Sequence, residues 1–280
     1  TYLKETLKRL IDTTYSRWKR MARYLDIVYG ANTVHFSYPL RAEIGLRKEY
    51  FRDFVLGGAR DQAVTGLTRY RPEITVEYDV CGFLFKEIAL GGDTPASTIP
   101  YVDVRVTIDD ENISIEDAKV DSWEITWEEG QPARARVTFV GKNKGENGAE
   151  SYSIDYTKSV YTLGNCTIKL NGTIIKATRY NVRVNNNLQP LYYGNTLPQE
   201  LKEQALEIEG RIRLAEFSEV SDGSISIEGP DFTIELPNVK FTEVPPRATG
   251  MEVPETEARF MALPGSGGYA IKITYTGSEY

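Results

Sequence analysis

The stretch ISIEDAKVDSWEITWEEGQPARARVTFVGK, residues 113–142, decides the fold class of this 280-residue chain. The apolar residues Trp123, Ile125 and Trp127 alternate there with polar residues, and the alternation resumes at 134–139 after the turn-forming segment EEGQP. A period of two gives a strand one apolar and one polar face, which is typical of antiparallel sheets with one solvated side. The stretch therefore predicts two antiparallel strands joined by a turn.

The same alternation recurs elsewhere in the chain, in residues 74–78, 102–108 and 270–275. Two dipeptides that favour tight turns, Asn171-Gly172 and Asp222-Gly223, each lie between apolar runs and predict hairpins. The chain also contains 18 tyrosines, a residue type that favours half-buried sheet positions. These features together predict a mainly β protein with antiparallel strands.

The N-terminal segment predicts an amphipathic helix instead. Apolar residues recur there at three- and four-residue steps and form one stripe with basic flanks: Leu3, Leu7, Ile11, Trp18 and Leu25. We expect residues 3–25 to pack this stripe on their own protein or on a neighbouring copy. A basic amphipathic helix can also lie on a membrane or bind nucleic acid, and these alternatives stay open.

A second, shorter helix is predicted over residues 83–90, because FLFKEIAL stops at Gly91-Gly92 as at a glycine C-cap. Residues 31–69, rich in Gly and Arg, are interpreted as loop with short elements, and residues 197–204 as a helical turn or loop. We therefore expect an N-terminal helix over residues 1–30 and one β domain over residues 31–280.

Charge is unevenly distributed along the chain. Residues 1–30 carry seven basic and three acidic side chains, a net charge of +4, whereas the remainder carries 26 basic and 37 acidic ones, a net charge of −11. Affinity for nucleic acid comes from clustered Lys and Arg, so the acidic body should repel DNA. No run approaches the roughly 18 apolar residues of a membrane span, so we expect a soluble protein without a membrane partner.

The residue types that carry most enzyme chemistry are scarce. The two cysteines, Cys81 and Cys166, and the single His35 are too few for a disulfide framework, a structural zinc site or a histidine relay. The phosphate-binding loop motif is absent. We expect no cofactor, no metal and no enzymatic activity. A glycosidase-type pair of carboxylates remains an alternative, because the sequence does not reveal which acids face each other.

Three stretches resemble the tail tube (major tail) proteins of tailed bacteriophages and archaeal tailed viruses. They are ITVEYDVCGFLFKEIALGGDT (74–94), the opening stretch 113–142, and RYNVRVNNNLQPLYYGNTLPQELKEQALEIEGRIRL (179–214). The similarity spans roughly residues 35–280 and leaves the N-terminal helix outside it. It implies an antiparallel β-sandwich or half-barrel with a flanking short helix.

The resemblance also implies a structural virion protein. In that family six copies form a ring, their strands join into an inner barrel, and the rings stack into a tube through which the genome passes. The expected partners are other copies, a tape-measure protein and further tail proteins, and DNA would pass without specific binding. The expected location is the virion tail, and the host cytoplasm during assembly. The alternative function is a β-rich binding module, such as a baseplate or surface carbohydrate-binding domain.

A tube of this kind needs one polar sheet face toward its channel. The candidates are acids at alternating strand positions: Glu77, Asp79, Glu124, Glu128, Glu207 and Glu209. Because residues 200–280 hold 15 acids against 7 bases, we expect an acidic channel that does not retain DNA. The alternative is that these acids face outer solvent or pair across strands with Arg134, Arg136, Arg211 and Arg213.

Overall fold

The computed structural model of the chain describes residues 24–29, 32–35, 39–54, 63–83, 85–108, 111–148, 160–215, 220–243, 246–247 and 255–277. The strands in these ranges are β1 Tyr24–Tyr29, β2 Asn32–His35, β3 Pro39–Phe54, β4 Ala63–Asp79, β5 Val102–Ile108, β6 Glu111–Glu128, β7 Arg134–Val140, β8 Asn143–Gly145, β9 Thr167–Leu170, β10 Thr173–Ile174, β11 Ala177–Asn185, β12 Gln189–Leu191, β13 Glu200–Lys202, β14 Glu207–Leu214, β15 Gly223–Glu228, β16 Phe232–Glu243, β17 Pro246–Arg247, β18 Glu255–Ala262 and β19 Lys272–Tyr275. Helix α1 is Phe85–Ala89, and a 3-10 turn spans Leu163–Asn165. Within the same ranges, no helix has the length and apolar character needed to cross a membrane.

Nearly all strands belong to one antiparallel network that bends into two sheets. The larger sheet runs β3-β4-β7-β6-β11-β14-β18-β16-β15-β9-β10, and a smaller one runs β2-β1-β5-β6-β8. The long strand β6 belongs to both sheets. Its register with β7 shifts between Val120 and Ser122, where the strand passes from one sheet to the other. A bulge bends a strand, so this shift lets β6 serve both sheets.

The core lies where the large sheet folds back over itself. Phe232 of β16 stacks on Trp127 of β6 with ring centroids 6.4 Å apart, and its ring lies 4.3 Å from that of Phe83. Helix α1 closes the core beside β6, where Phe85 lies 5.5 Å from Trp123. The apolar faces that the alternating pattern creates are therefore the faces that pack together, and the fold is a mainly β sandwich.

Several predicted elements are confirmed. The strands expected at 74–78, 102–108, 123–127 and 134–139 are present as parts of β4, β5, β6 and β7. The short helix forms within residues 83–90, and Gly91 after it has a φ of 81°. Asn171 and Gly172 both have positive φ, 51° and 78°, between the paired strands β9 and β10. That pair is the two-residue hairpin turn that its sequence predicts.

Other expectations are wrong in their boundaries. Leu25 is a strand residue, 1% exposed and paired with Val106, so a helix over residues 3–25 cannot include its last stripe position. Leu3, Leu7, Ile11 and Trp18 lie outside the described residues. Most of residues 31–69 belongs to β2, β3 and β4 rather than to a loop, and segment 197–204 contains the strand β13 rather than a helical turn.

Asp222-Gly223 does not join two neighbouring strands. The strand that follows it, β15, pairs with β9 and β16 and not with the preceding β14. The Asp222 carboxylate instead accepts a hydrogen bond from the Phe241 N–H at 3.0 Å and pairs with Lys240 Nζ at 2.9 Å. The Phe241 N–H, with Lys240, lowers the pKa of Asp222. The dipeptide therefore anchors the start of β15 to β16.

Candidate functional site

The six candidate acids all lie on one face of the large sheet, opposite the core. Their strands place apolar side chains inward at every second position, and the acids occupy the positions between. On β14, for example, Ile208 and Ile212 are buried whereas Glu207 and Glu209 are exposed. We call the outward side of strands β4, β7, β6, β11, β14 and β18 the charged face.

A row of alternating charges crosses the middle of the charged face, perpendicular to the strands. The central row consists, in spatial order, of Glu77, Arg136, Glu124, Arg183 and Glu209. Arg136 Nη1 lies 3.6 Å from Glu77 Oε1, and Arg183 Nη1 lies 3.9 Å from Glu209 Oε1. Opposite charges on facing residues of neighbouring strands contribute about 0.2–1 kcal/mol per pair, so the central row favours this strand register.

The row beside it begins with another cross-strand ion pair. Arg134 Nε lies 3.6 Å from Asp79 Oδ1. Burial raises the pKa of the Asp79 carboxyl above its usual value, and the nearby Arg134 charge offsets this only in part. Farther along the row, Asn181 donates hydrogen bonds to Glu124 Oε1 at 2.6 Å and to Thr126 Oγ1 at 2.9 Å. These bonds connect β11 to β6 across the charged face.

Around the central row, the charged face carries as many arginines as acids, and farther along β4 Arg71 and Glu73 add one of each and lie 3.8 Å apart. The acids are Glu77, Asp79, Glu124, Glu128, Glu207, Glu209 and Glu257, and the arginines are Arg134, Arg136, Arg179, Arg183, Arg211, Arg213 and Arg259. Glu77 pairs with Arg136 and Asp79 pairs with Arg134, as expected if the acids pair across strands. Glu209 pairs with Arg183 and not with Arg211 or Arg213. Glu128 and Glu207 make no ion pair with any described residue. The face is therefore charge-balanced rather than acidic.

The arginines are concentrated at one end of the charged face, along a groove of about 630 Å³ formed by β11, β14 and β18. Arg179 lies directly opposite Arg213, and Arg211 lies directly opposite Arg259. Arg213 also reaches Glu257 Oε2 at 3.4 Å. At the other end of the groove, Met261 and Leu263 are exposed apolar side chains.

Two polar clusters behind the charged face were not predictable from local sequence. The first surrounds the bulge of β6: the buried Asn186 donates to the carbonyl oxygens of Ala89 at 3.0 Å and Val120 at 2.9 Å. Beside it, Asp121 accepts hydrogen bonds from Arg71 at 3.0 Å and from the Leu188 N–H at 2.9 Å. This cluster connects helix α1, the bulge and the end of β11.

The second cluster joins the smaller sheet to the segment before β14. Lys119, 3% exposed, donates to Glu203 Oε1 at 2.6 Å, and its Nζ lies 4.3 Å from the Tyr101 ring centroid. Burial alone would raise the pKa of Glu203, but the bonds from Lys119 and from the Ile99 N–H lower it below its usual value. Both clusters consist of contacts between residues distant in sequence, so no local pattern indicates them.

Neither cluster has the composition of a metal site. Across the described part of the chain, no three His, Cys, Asp or Glu side chains converge in an arrangement suited to a metal ion. Cys166 is half-buried, and burial raises the pKa of its thiol to about 11. At neutral pH this thiol is therefore protonated.

Comparison with known proteins identifies one family. Residues 23–217 match the model of the family described as phage tail tube protein, which covers most of the chain and includes strands β1 to β14. The match begins just before β1 and leaves residues 1–22 outside it. A search of curated proteins finds no match.

Proposed function

The chain belongs to the phage tail tube protein family, and from that premise we propose that six copies form a ring and that rings stack into a tube through which the viral genome passes. Family membership gives the protein a structural role in the virion tail, within an oligomeric assembly that includes other tail components. In the proposed tube the charged face is turned toward the channel. The tape-measure protein occupies the channel during assembly in the host cytoplasm, and the protein itself is not an enzyme.

The observation that carries this proposal is the open edge of β3. This 16-residue strand pairs with β4 along its whole length, and no strand in the described part of the chain pairs with its other edge. A long unpaired edge is a template on which another chain can add a strand, and natural proteins usually shield such edges. Strand addition by a second copy would continue the charged face from one subunit to the next.

The peptide groups of β3 that face the open edge follow from the pairing of β4. The Gly141 N–H donates to the Pro72 carbonyl, so even-numbered residues of β4 turn their peptide groups toward β7. Odd-numbered residues therefore face β3, which directs the peptide group of Glu43 toward its partner Thr75. The N–H of the preceding residue, Ala42, points the other way, to the open edge.

A pair of proline variants tests the role of this edge. Ala42→Pro removes an N–H from the open edge, whereas Glu43→Pro removes one that faces β4. We expect wild-type protein to form hollow tubes in negative-stain electron microscopy. Ala42→Pro should melt near the wild-type temperature yet fail to form tubes, and Glu43→Pro should lower the melting temperature. Tubes formed by the Ala42→Pro protein would contradict the role of β3, and wild-type particles without a channel would contradict the tube itself.

A charge-balanced channel suits the passage of a polyanion. Paired charges present polar groups that keep the channel wet, while their fields cancel beyond a Debye length of roughly 8–10 Å. DNA in the middle of such a channel is neither attracted nor repelled over long distances. This differs from the acidic channel expected from sequence, because each acidic strand of the face lies next to a strand that carries arginines.

A further inference from the structure

Four arginines form two like-charged cross-strand pairs in the groove of the charged face. We call them the arginine quartet: Arg179 with Arg213, and Arg211 with Arg259. Like charges on directly opposite residues of neighbouring strands destabilise a sheet. The central row avoids this arrangement, because acids stand opposite arginines along its whole length. The quartet therefore destabilises the sheet locally, and the fold nevertheless retains it.

Two members of the quartet have no carboxylate partner within the described residues. Arg211 is exposed, and its cross-strand neighbours are Asn181 on one side and Arg259 on the other. Arg179 is also exposed, and although Glu128 lies opposite it on β6, the two side chains do not form an ion pair. Of the acids that line the groove, Glu257 pairs with Arg213 and Glu209 pairs with Arg183, whereas Glu207 lies four residues before Arg211 on β14 and makes no ion pair with a described residue. The groove thus presents two unpaired guanidinium groups.

We propose that the arginine quartet binds the phosphate groups of double-stranded DNA, with Arg179 and Arg211 as the direct contacts. A guanidinium group presents parallel N–H donors that match the oxygens of a phosphate, and such contacts hold the backbone without reading base sequence. This inference rests on the proposed function, since it is the charged face's position in the channel that brings DNA to the groove. Repeated in every subunit, the quartet gives a channel of little net charge a ring of phosphate contacts.

The geometry favours nucleic acid over an acidic protein segment. In the proposed tube the groove opens into the channel through which the genome passes. The body of the chain is itself acidic, with a net charge of −11 outside residues 1–30, so the quartet is a positive site on a negative molecule. Salt-sensitive contacts of this kind bind DNA weakly and reversibly, which is compatible with the passage of DNA through the channel.

Binding of a short fluorescent DNA duplex to the purified full chain, followed by anisotropy at several salt concentrations, tests the proposal. The test variant combines Arg179→Gln and Arg211→Gln. Its matched control combines Lys144→Gln and Lys202→Gln, which remove the same charge from exposed positions outside the groove. At about 0.1 M salt the arginine variant should bind roughly 10- to 100-fold more weakly, with a salt slope lower by about two, whereas the control should resemble the wild type.

Other outcomes overturn the assignment. Equal affinity and slope for the arginine variant and the lysine control would show that the quartet does not contact DNA. Competition by polyglutamate as strong as by unlabelled DNA would show that the site does not distinguish phosphates from carboxylates, which would overturn its assignment to DNA. The melting temperature of the arginine variant should equal or exceed that of the wild type, because both like-charged pairs are relieved. A clear decrease would mean that these arginines stabilise the fold.

Electron microscopy of the same samples separates this inference from the proposed function. Tubes formed by both the wild type and the arginine variant, with weaker DNA binding only in the variant, support both. If both proteins form tubes and bind DNA equally well, the role of the quartet is overturned, but the proposed tube is not contradicted. Absence of tubes in the wild type would instead refute the proposed function, even where DNA binding on the unassembled chain depends on the arginines.

Discussion

Replacement of Asn186 by Asp is the sharpest test of how helix α1 and the end of β11 are held at the bulge of β6. The Asn186 side chain is 6% exposed and donates both of its amide hydrogens, to the carbonyl oxygens of Ala89 and Val120. Asn186→Asp keeps the shape but replaces two donors by acceptors, so two hydrogen bonds of about 1 kcal/mol each are lost and two carbonyl groups lose their partner. With the added cost of burying a carboxylate, we expect a loss of about 3–5 kcal/mol near pH 7.

The same substitution should make stability depend on pH in a defined direction. The introduced carboxyl faces two carbonyl oxygens in a buried site, so its pKa in the folded state must lie above the unfolded value of about 3.9. A raised folded pKa means that the folded state binds more protons than the unfolded one. The deficit relative to the wild type should therefore be smallest near pH 4, where a protonated carboxyl can again donate one hydrogen bond, and should grow toward pH 7.

Thermal unfolding of the variant and the wild type at several pH values measures both effects. For a chain of this size 1 kcal/mol corresponds to roughly 2–4 °C, so the melting temperature near pH 7 should decrease by about 6–20 °C. Asn195→Asp, in an exposed loop, is the matched control and should stay close to the wild type at every pH. A change of no more than about 2 °C near pH 7, or a deficit that does not shrink in acid, would refute the reasoning.

Three further substitutions probe other parts of the fold by thermal unfolding. Gly172→Val should lower the free energy of unfolding by about 1–2 kcal/mol, because Gly172 has a φ of 78°. A Cβ at this position would meet nothing within 4 Å, so the loss comes from backbone strain alone. An unchanged melting temperature would argue against a tight turn. Tyr180→Phe should leave the free energy of unfolding unchanged or raise it by up to about 1 kcal/mol. The reason is that the Tyr180 hydroxyl is fully buried with no hydrogen-bond partner among the described residues. A clear loss of stability would reveal a partner for that hydroxyl. Glu203→Gln should destabilise by about 2 kcal/mol at neutral pH. The lowered pKa of Glu203 stabilises the wild type above the unfolded value of about 4.3, and this contribution is lost as the pH falls through the folded pKa. The difference from the wild type should therefore vanish below that range, and a constant difference would exclude the ion pair as its cause.

Local sequence was sufficient to predict the strands whose apolar residues alternate without interruption. It was insufficient for β3, where Ala42, Ile44 and Leu46 do alternate with Arg41, Glu43 and Gly45, but among glycines and arginines that are equally common in loops. Pairing with β4 over 15 residue positions is what makes this segment a strand, and such pairing is not visible in either segment alone. The prediction of a hairpin at Asp222-Gly223 was wrong for a related reason. The dipeptide favours a turn, but which strands pair on either side of it depends on the whole sheet.

The charged face shows the same division between local and long-range information. Alternation indicated that the six acids share the polar sides of their strands, but it did not indicate which strands are neighbours. Neighbouring strands come from distant parts of the chain: β4 pairs with β7, and β6 pairs with β11. Only this order places Arg136 between Glu77 and Glu124, and only the register places Arg211 opposite Arg259. The composition of the face was thus predictable, whereas its electrostatic pattern was not.

The electrostatic pattern also determines how charge acts in the proposed tube. An excess of acids on the charged face would multiply with every subunit in a ring. Around the central row, however, the face carries seven acids and seven arginines, so the contribution of these residues to the net charge of −7 is close to zero. The acidic excess of the chain is therefore carried by other residues. What remains in the channel are short-range features, and the cross-strand arginine pairs are the feature that alternation of opposite charges does not cancel. A passing polyanion would therefore respond to the channel only at close approach to these arginines.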